Sequence, residues 1–446
     1  MNKRIIAVLL LVSLVLTGLF AGGATETKAA DNADKDARVA AYLESGKITD
    51  EPVSLRWLHK YPEDKYAPYF QAVADEYMAA HPNVKIKIEA VGDEPIKEKL
   101  RVMVGGGDMP DIYFSWGGEF AAKFVRAGVV EDLSKYAAAD PEWSSSFADV
   151  FWDVANIEGI KAGVPLRFNA GAFVYNVKLL QELGLKAPET WTEFLHCCEV
   201  IKEAGKTPIV YGNKYPWHSA WWFTTIFREM VPEETRKADY SPLSGEWSDK
   251  GYEEAIALVQ DLNEKGYLNK SVNSTTWDQC LMLFNAGEAG FFLSSVMNFP
   301  DHDSMGAGNW DWLPFPSIEN GRGTHNTLAG SADLFLVSSK SAYPEVAVDF
   351  LKYLTSKDNQ RRLGETGLAP VVNGSMPENT YPKILDIIDY INTDCAGMTE
   401  WFDCAVEARV ADVWLENFHL MFDGKAPADI LAEVREVSDR VKNEMN

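Results

Sequence analysis

The stretch APYFQAVADEYMAAHPNVKIKIEAV, residues 67–91, changes its hydrophobic period partway along. Phe70, Val73 and Tyr77 recur at helical spacing until Pro82 stops the run. Val84, Ile86 and Ile88 then alternate with Lys85, Lys87 and Glu89, the period of a strand with one solvated face. A helix leading into such a strand is the repeating unit of an α/β fold, and the alternation extends in both directions. Upstream, VSLRWLH from Val53 reads as a strand. Downstream, a helix carrying Ile96, Leu100 and Met103 ends in Gly105–Gly107 and leads to the apolar strand PDIYFSW. Those glycines follow a helix instead of joining strand to helix, so they mark helix termination and not a phosphate loop.

Farther on, a helix with Phe120 and Phe124 breaks near Gly128, and GVPLRFNAGAFVYN begins at Gly163. PETWTEFLHCCEVIKEAG reads as a helix capped by Thr190, with TPIVYG as the next strand. WDQCLMLFNAGEAGFFLSS reads helix, turn, strand, and GSADLFLVSSKSAYPEVAVDFLKYLTS reads strand, loop, helix. ADILAEVREVSDRVKNEM closes the chain as an amphipathic helix with Ile430, Val434, Val437 and Val441 on one face. The pattern predicts α/β lobes with mostly parallel sheets.

At 446 residues the chain is too long for one ordinary core, so two lobes are expected. Apolar residues make up 46% and charged residues 24%, the proportions of a globular protein; the 14 tryptophans are the outlier. Lys3 and Arg4, the apolar run Ile5–Phe20 and the small residues after it describe a secretory signal peptide, residues 1–24, with a signal anchor as the rival reading. No cysteine precedes Cys197, so lipid attachment near the cut is excluded and the chain is not expected to be a lipoprotein. A polar leader, residues 25–51, is expected to lie extended or helical outside the first lobe. The formal charge of −24 argues against nucleic acid and anionic membrane surfaces as partners. Of the five cysteines, Cys395 and Cys404 could bridge, or all five could be buried thiols. Cys197 and Cys198, beside His196 on a helix, point about 100° apart and are not expected to share a metal ion.

MPDIYFSWGGEFAAKFVRAGVVEDLSKY (Met109 on), GVPLRFNAGAFVYNVKLLQELGLKAPETWTEF (Gly163 on), FNAGEAGFFLSS (Phe284 on) and AYPEVAVDFLKYLTSKDNQRRLGETGLAPV (Ala342 on) span most of the chain. In order and spacing they resemble the extracellular solute-binding proteins of ATP-binding-cassette importers, in the oligosaccharide-binding, maltose-binding-protein-like group. The resemblance implies a two-lobed periplasmic binding protein of type II-like fold, with the ligand in a cleft between lobes joined by several crossings. Lobe one would comprise residues 52–168 plus 327–374, and lobe two 169–326 plus 375–446. It further implies a monomeric receptor, without cofactor or metal and without catalysis, that closes around a carbohydrate and presents it to a membrane permease.

A sugar offers C–H patches and hydroxyls, so its site needs flat aromatic faces and hydrogen-bonding side chains. In PWHSAWWF, from Pro216, helical spacing places Trp217 and Trp221 on one face and His218 and Trp222 on the adjacent one. Only one pair can point at the cleft. Alignment with the family favours Trp217 and His218 there, with Trp221 open and Trp222 in the core; all three tryptophans in the core is the alternative. Trp116 follows a strand at its carboxyl end, where α/β sheets present ligand loops, and Asp111 would brace the turn. His59, Tyr61 and Glu63 lie in WLHKYPED, and Arg167 and Asn169 flank the first crossing. Ser294, at the end of its strand, Trp277 and Trp401 complete the set, with Phe402 assigned to the core. Where the family carries Gly-Gly-aromatic at the second crossing, this chain has Gly330, Ser331, Ala332 and Asp333, so hydrogen bonds from Ser331 and Asp333 would replace a stacking face.

Two other functions suit parts of this pattern. A secreted glycoside hydrolase would also use a Trp-rich cleft with carboxylates, but the sequence has no serine elbow, HExxH or Cys/His cluster at ligand spacing. A receptor for a non-sugar solute such as a polyol phosphate would need Arg or Lys pairs at the cleft, where aromatics, amides and hydroxyls predominate.

Overall fold

The computed structural model describes residues 33–445; the signal peptide read from residues 1–24 lies outside them. Twelve strands are present among the described residues: β1 (Val53–His59), β2 (Val84–Ala90), β3 (Ile112–Ser115), β4 (Asn156–Ile157), β5 (Ile160–Lys161), β6 (Gly163–Asn176), β7 (Thr207–Val210), β8 (Ala289–Ser295), β9 (Trp310–Leu313), β10 (Leu328–Val337), β11 (Ala369–Pro370) and β12 (Met398–Thr399). The period change that opens the sequence is realised as the helix Ala67–Ala80 followed by β2, whose burial alternates from Val84 onward.

The main sheet runs β2-β1-β3-β10-β6-β8-β7. β6 is 14 residues long and serves two sets of partners. Its residues 163–170 pair with β10, whereas 171–176 pair with β8 and β9. The chain therefore passes from one half of the molecule to the other within a single strand, and β10 returns beside it. These long strands run antiparallel to their neighbours, so the sheet is mixed and not mostly parallel as the helix–strand alternation predicts. Only β1–β2, β1–β3, β7–β8 and β10–β12 pair in parallel. Burial explains why no alternation showed: every residue of β8 and of β10 is buried.

Local chemistry sets the ends of several elements. The helix Asp93–Gly106 stops at Gly107, left-handed at φ 70°, as the glycine run predicts. Thr190 and Thr276 form capping boxes with Glu193 and Gln279. Asp111 braces its turn, accepting hydrogen bonds from the Arg56 amide (2.8 Å) and the Ser341 hydroxyl (2.6 Å). The closing helix Pro427–Met445 buries Ile430, Leu431, Val434 and Val441.

The described part of the leader is helical, one of the two forms expected. Residues 33–45 form a helix that packs onto the body through buried Val39 and Tyr42. Arg38 bonds the Ala342 carbonyl (2.7 Å) and Glu345 (3.3 Å), and the Tyr42 hydroxyl bonds Asp349 (3.0 Å). Val39 and Tyr42, three residues apart, with Leu43 beside them, give this polar segment one face to bury. All five cysteines are free thiols, so Cys395 and Cys404 are not bridged. Trp222 and Phe402 are fully buried core residues.

Candidate functional site

A cavity of about 610 Å³ opens between the two halves of the sheet. One wall is aromatic. Trp217 and Trp221 lie on one face of the helix Trp217–Met230, Trp277 begins the helix Trp277–Asn285, and Trp401 precedes a short helix, Phe402–Ala405. The indoles touch in a cluster: Trp217–Trp221 centroids are 5.3 Å apart, Trp217–Trp277 5.1 Å and Trp221–Trp277 5.3 Å. Trp401 stacks flat on Trp221 at 4.1 Å and 14°. Trp217 and Trp277 keep partial exposure toward the cavity, whereas Trp221 and Trp401, which also line it, are buried.

The opposite wall carries charge. Asp93, Glu94 and Lys97 come from the first turns of the helix Asp93–Gly106, and Lys60 and Tyr61 from the loop after β1. Lys60 Nζ pairs with Asp93 (3.0 Å) and Asp333 (3.5 Å), and Lys97 bonds Glu94 (3.1 Å). Burial opposes the charge of Lys97, but Asp403 and Glu94 outweigh it and hold the ammonium above its ordinary value. Burial raises the Asp403 carboxyl, with Lys97 pulling the other way. Trp116 stands at this wall with both lysines near its ring, Lys60 at 4.8 Å and Lys97 at 5.4 Å.

The floor is formed by the crossing strands. Asp333 on β10 accepts bonds at Oδ2 from Arg167 of β6 (2.7 Å) and from the Tyr61 hydroxyl (2.7 Å). Asn169, two residues along β6 from Arg167, accepts at 2.7 Å from the Ser295 hydroxyl at the end of β8. Asp333 and Arg167 are each only 3% exposed, so the ion pair is a buried brace that also lines the cavity.

Of the residues anticipated from sequence, Tyr61, Trp116, Arg167, Asn169, Trp217, Trp221, Trp277, Asp333 and Trp401 line this cavity, as does Glu63. Four others do not. His218 shares its helical face with Trp222 and is buried, its ring nitrogens against the carbonyls of Gly212 (3.1 Å) and Leu293 (3.0 Å); burial pushes its pKa down to about 4. His59 falls on the same side of β1 as Trp57 and packs on Phe70, and burial pushes its pKa down to about 3. Ser294 faces inward to His302 Nε2 (2.9 Å), whereas the next residue, Ser295, faces the cavity; in a strand a shift of one residue changes sides. Ser331 turns to a second cavity, where it bonds Glu400.

Sequence reasoning missed Lys60, Asp93, Lys97 and Asp403. The signal was present for three of them: Lys60 follows β1, and Asp93 and Lys97 open the helix that follows β2, at the carboxyl ends of parallel strands. Among the described residues no group of three or more His, Cys, Asp or Glu side chains is placed to hold a metal ion, and no helix is long and apolar enough to cross a membrane.

The family model for bacterial extracellular solute-binding proteins matches residues 63–361. The chain is similar to the multiple sugar-binding protein of Streptococcus mutans, with 23% identity over 324 residues that cover 70% of this chain and 73% of that one. It is also similar to the maltotriose-binding protein of Pyrococcus abyssi, 30% identical over 147 residues, or 33% of this chain and 30% of that protein. Among solved structures, a chitin oligosaccharide binding protein superposes with a TM-score of 0.79 at 21% identity, covering 89% of this chain and 100% of that one. With that fold, that cleft and a family match over most of its length, the chain belongs to the bacterial extracellular solute-binding proteins, the receptors of ATP-binding-cassette importers, and is a binding protein and not an enzyme.

Proposed function

We propose that the cavity captures a neutral carbohydrate, an oligosaccharide in particular, and that the closed protein delivers it to a membrane permease. The observation that carries this reading is the pairing of a four-indole wall with a wall of ionic hydrogen-bonding groups across about 610 Å³. Indole faces suit the C–H patches of a pyranose, and the polar groups suit its hydroxyls. The cations at the site argue against a phosphorylated solute, because Lys60, Lys97 and Arg167 each already face a carboxylate, and the remaining lysine of the lining, Lys65, is an exposed side chain. The names of the relatives, which bind multiple sugars, maltotriose and chitin oligosaccharides, support the same class.

In this reading Trp217 and Trp277 are the stacking faces, and Asn169, Asp333 and the Lys60–Asp93 pair meet the hydroxyls. The hinge lies in β6 and β10, with lobe boundaries near 168/169, 326/327 and 374/375. The protein is exported by residues 1–24 and works as a monomer. Thermal unfolding against a panel of mono- and oligosaccharides, polyols and sugar phosphates tests the proposal. A sugar at one hundred times its Kd should add about 2.7 kcal/mol of stability, with a saturable change in tryptophan fluorescence and the sugar recovered intact. Stabilisation by sugar phosphates alone would replace the ligand class, and release of reducing ends would replace binding with hydrolysis.

A further inference from the structure

The segment 398–405 is a partition between two cavities. Trp401, Asp403 and Cys404 line the sugar cavity, whereas Met398, Glu400 and Ala405 line a second one of about 650 Å³ on the other side of the crossing strands. The second cavity is walled by the helices Gly118–Arg126 and Asp149–Val154 on one flank and by residues 240–243 on the other. Three sets of contacts hold the partition. β12 pairs with the start of β10, the Phe402 amide donates to Thr224 (2.9 Å), and Trp401 lies flat on Trp221. On the far flank it seats against Gly117 and Gly118, where there is no room for a side chain. A β-carbon on Gly117 would strike Glu400 Oε2 and Val154, and one on Gly118, at φ 60°, would stand 2.7 Å from the Cys404 carbonyl.

Glu400 ties these parts together. Its Oε1 accepts from the Trp401 amide at 3.0 Å, and its Oε2 is bonded by the Ser331 hydroxyl of β10. We infer that Glu400 is a positioning residue for ligand binding: one side chain fixes Trp401 of the aromatic wall to the crossing strand, so that the wall and the hinge move as a unit. The inference rests on the carbohydrate reading above for its ligand and on the partition geometry for its mechanism.

The surroundings favour an uncharged side chain. Asp333 of β10 and Asp403 face Glu400 with like charge, and Cys404 adjoins it. Across the second cavity stand Glu119, Asp153 and Glu158, against Arg126, Lys237 and the neutral Tyr240. Burial, with Asp333 and Asp403 adding to it, pushes the Glu400 carboxyl up to about 8, although the bonds from Ser331 and the Trp401 amide pull downward. The Ser331 hydroxyl, also 3.5 Å from the Ala332 carbonyl, is the side-chain donor that Oε2 keeps. Ionisation places a third negative charge beside Asp333 and Asp403 and strains the partition.

Two readouts test this on the full chain. Without ligand, near-ultraviolet circular dichroism between pH 6 and 9.5 should show a transition near pH 8 that disappears in E400Q and in W401F, which removes the reporter. With maltotriose and chitotriose as probes, any probe that binds at pH 7 should bind wild type about tenfold more weakly at pH 9, because the competent fraction falls by that factor one pH unit above the midpoint. E400Q should bind equally at both pH values, and E400A weakly at both. A transition that survives in E400Q, or an E400Q profile that follows wild type, overturns the role of Glu400. If neither probe binds, the carbohydrate reading loses its support while the dichroism still decides the positioning role.

Discussion

Replacing Asp333 by asparagine keeps the shape of the floor and removes one charge. In the native protein its Oδ2 faces Arg167 Nη2 at 2.7 Å and the Tyr61 hydroxyl at 2.7 Å, with Lys60 Nζ at 3.5 Å, and both Asp333 and Arg167 are 3% exposed. D333N leaves a guanidinium that cannot lose its proton beside an ammonium, both with little exposed surface. Breaking a buried pair by removing one partner costs about 3–5 kcal/mol. Lys60 retains Asp93 at 3.0 Å and the asparagine oxygen still accepts a bond, which places the expected loss near the lower figure. Urea unfolding followed by tryptophan fluorescence measures it, and the double variant R167M/D333N supplies the control. Once the stranded charge is gone, the double variant should be more stable than D333N alone. A loss below about 1 kcal/mol in D333N, or a double variant less stable than the single, would refute the account of the floor as a buried ionic brace.

Trp217→Ala should weaken sugar binding by ten- to a hundredfold by calorimetry at little cost in stability. Trp222→Ala, on the buried face of the same helix, should cost about 3–5 kcal/mol in unfolding experiments. Stability should fall on acidification partly through His218, whose proton binds the unfolded chain near 6.5 but the fold only near 4. The contribution is full above pH 6.5 and is lost toward pH 4, by about 3 kcal/mol, and H218Q should flatten that slope in pH-dependent melts. Gly118→Ala, at φ 60° and 2.7 Å from the Cys404 carbonyl, should push the partition off its seat. Destabilisation of about 1–3 kcal/mol in melts, with a larger radius of gyration in X-ray scattering, is the expected result.

Much of the architecture was legible because its units are short and local. The period change at residues 67–91 and the terminating glycines before Gly107 need only neighbours in sequence. The helical spacing in PWHSAWWF stated that Trp217 and Trp221 must share a face. It gave equal warning that His218 goes with Trp222, which the family alignment overrode. His59 was readable the same way, since period-2 alternation sets it beside Trp57 on the core side of β1. Ser294 needed a register known only from the pairing of Ala172 opposite it. The ionic wall was not legible because Asp93 and Glu94 read equally well as the acidic first turn of a helix. The docked leader hid for a related reason: two apolar residues among many charges suffice when a complementary surface, here Ala342 to Asp349, lies three hundred residues away in the chain.

The position of β10 in the sheet has a consequence for the order of events during synthesis. β10 lies between β3 and β6, with Phe114 opposite Phe335 and Phe168 opposite Ala332. A nascent chain that ends before Leu328 therefore holds β3 and β6 with nothing to join them, and the first half of the sheet cannot close. Pairings separated by so many residues carry a large loop-closure cost and form slowly. For the export proposed above, an unfolded chain gains time from that delay, because β10 follows β1, β2, β3 and β6 in the sequence.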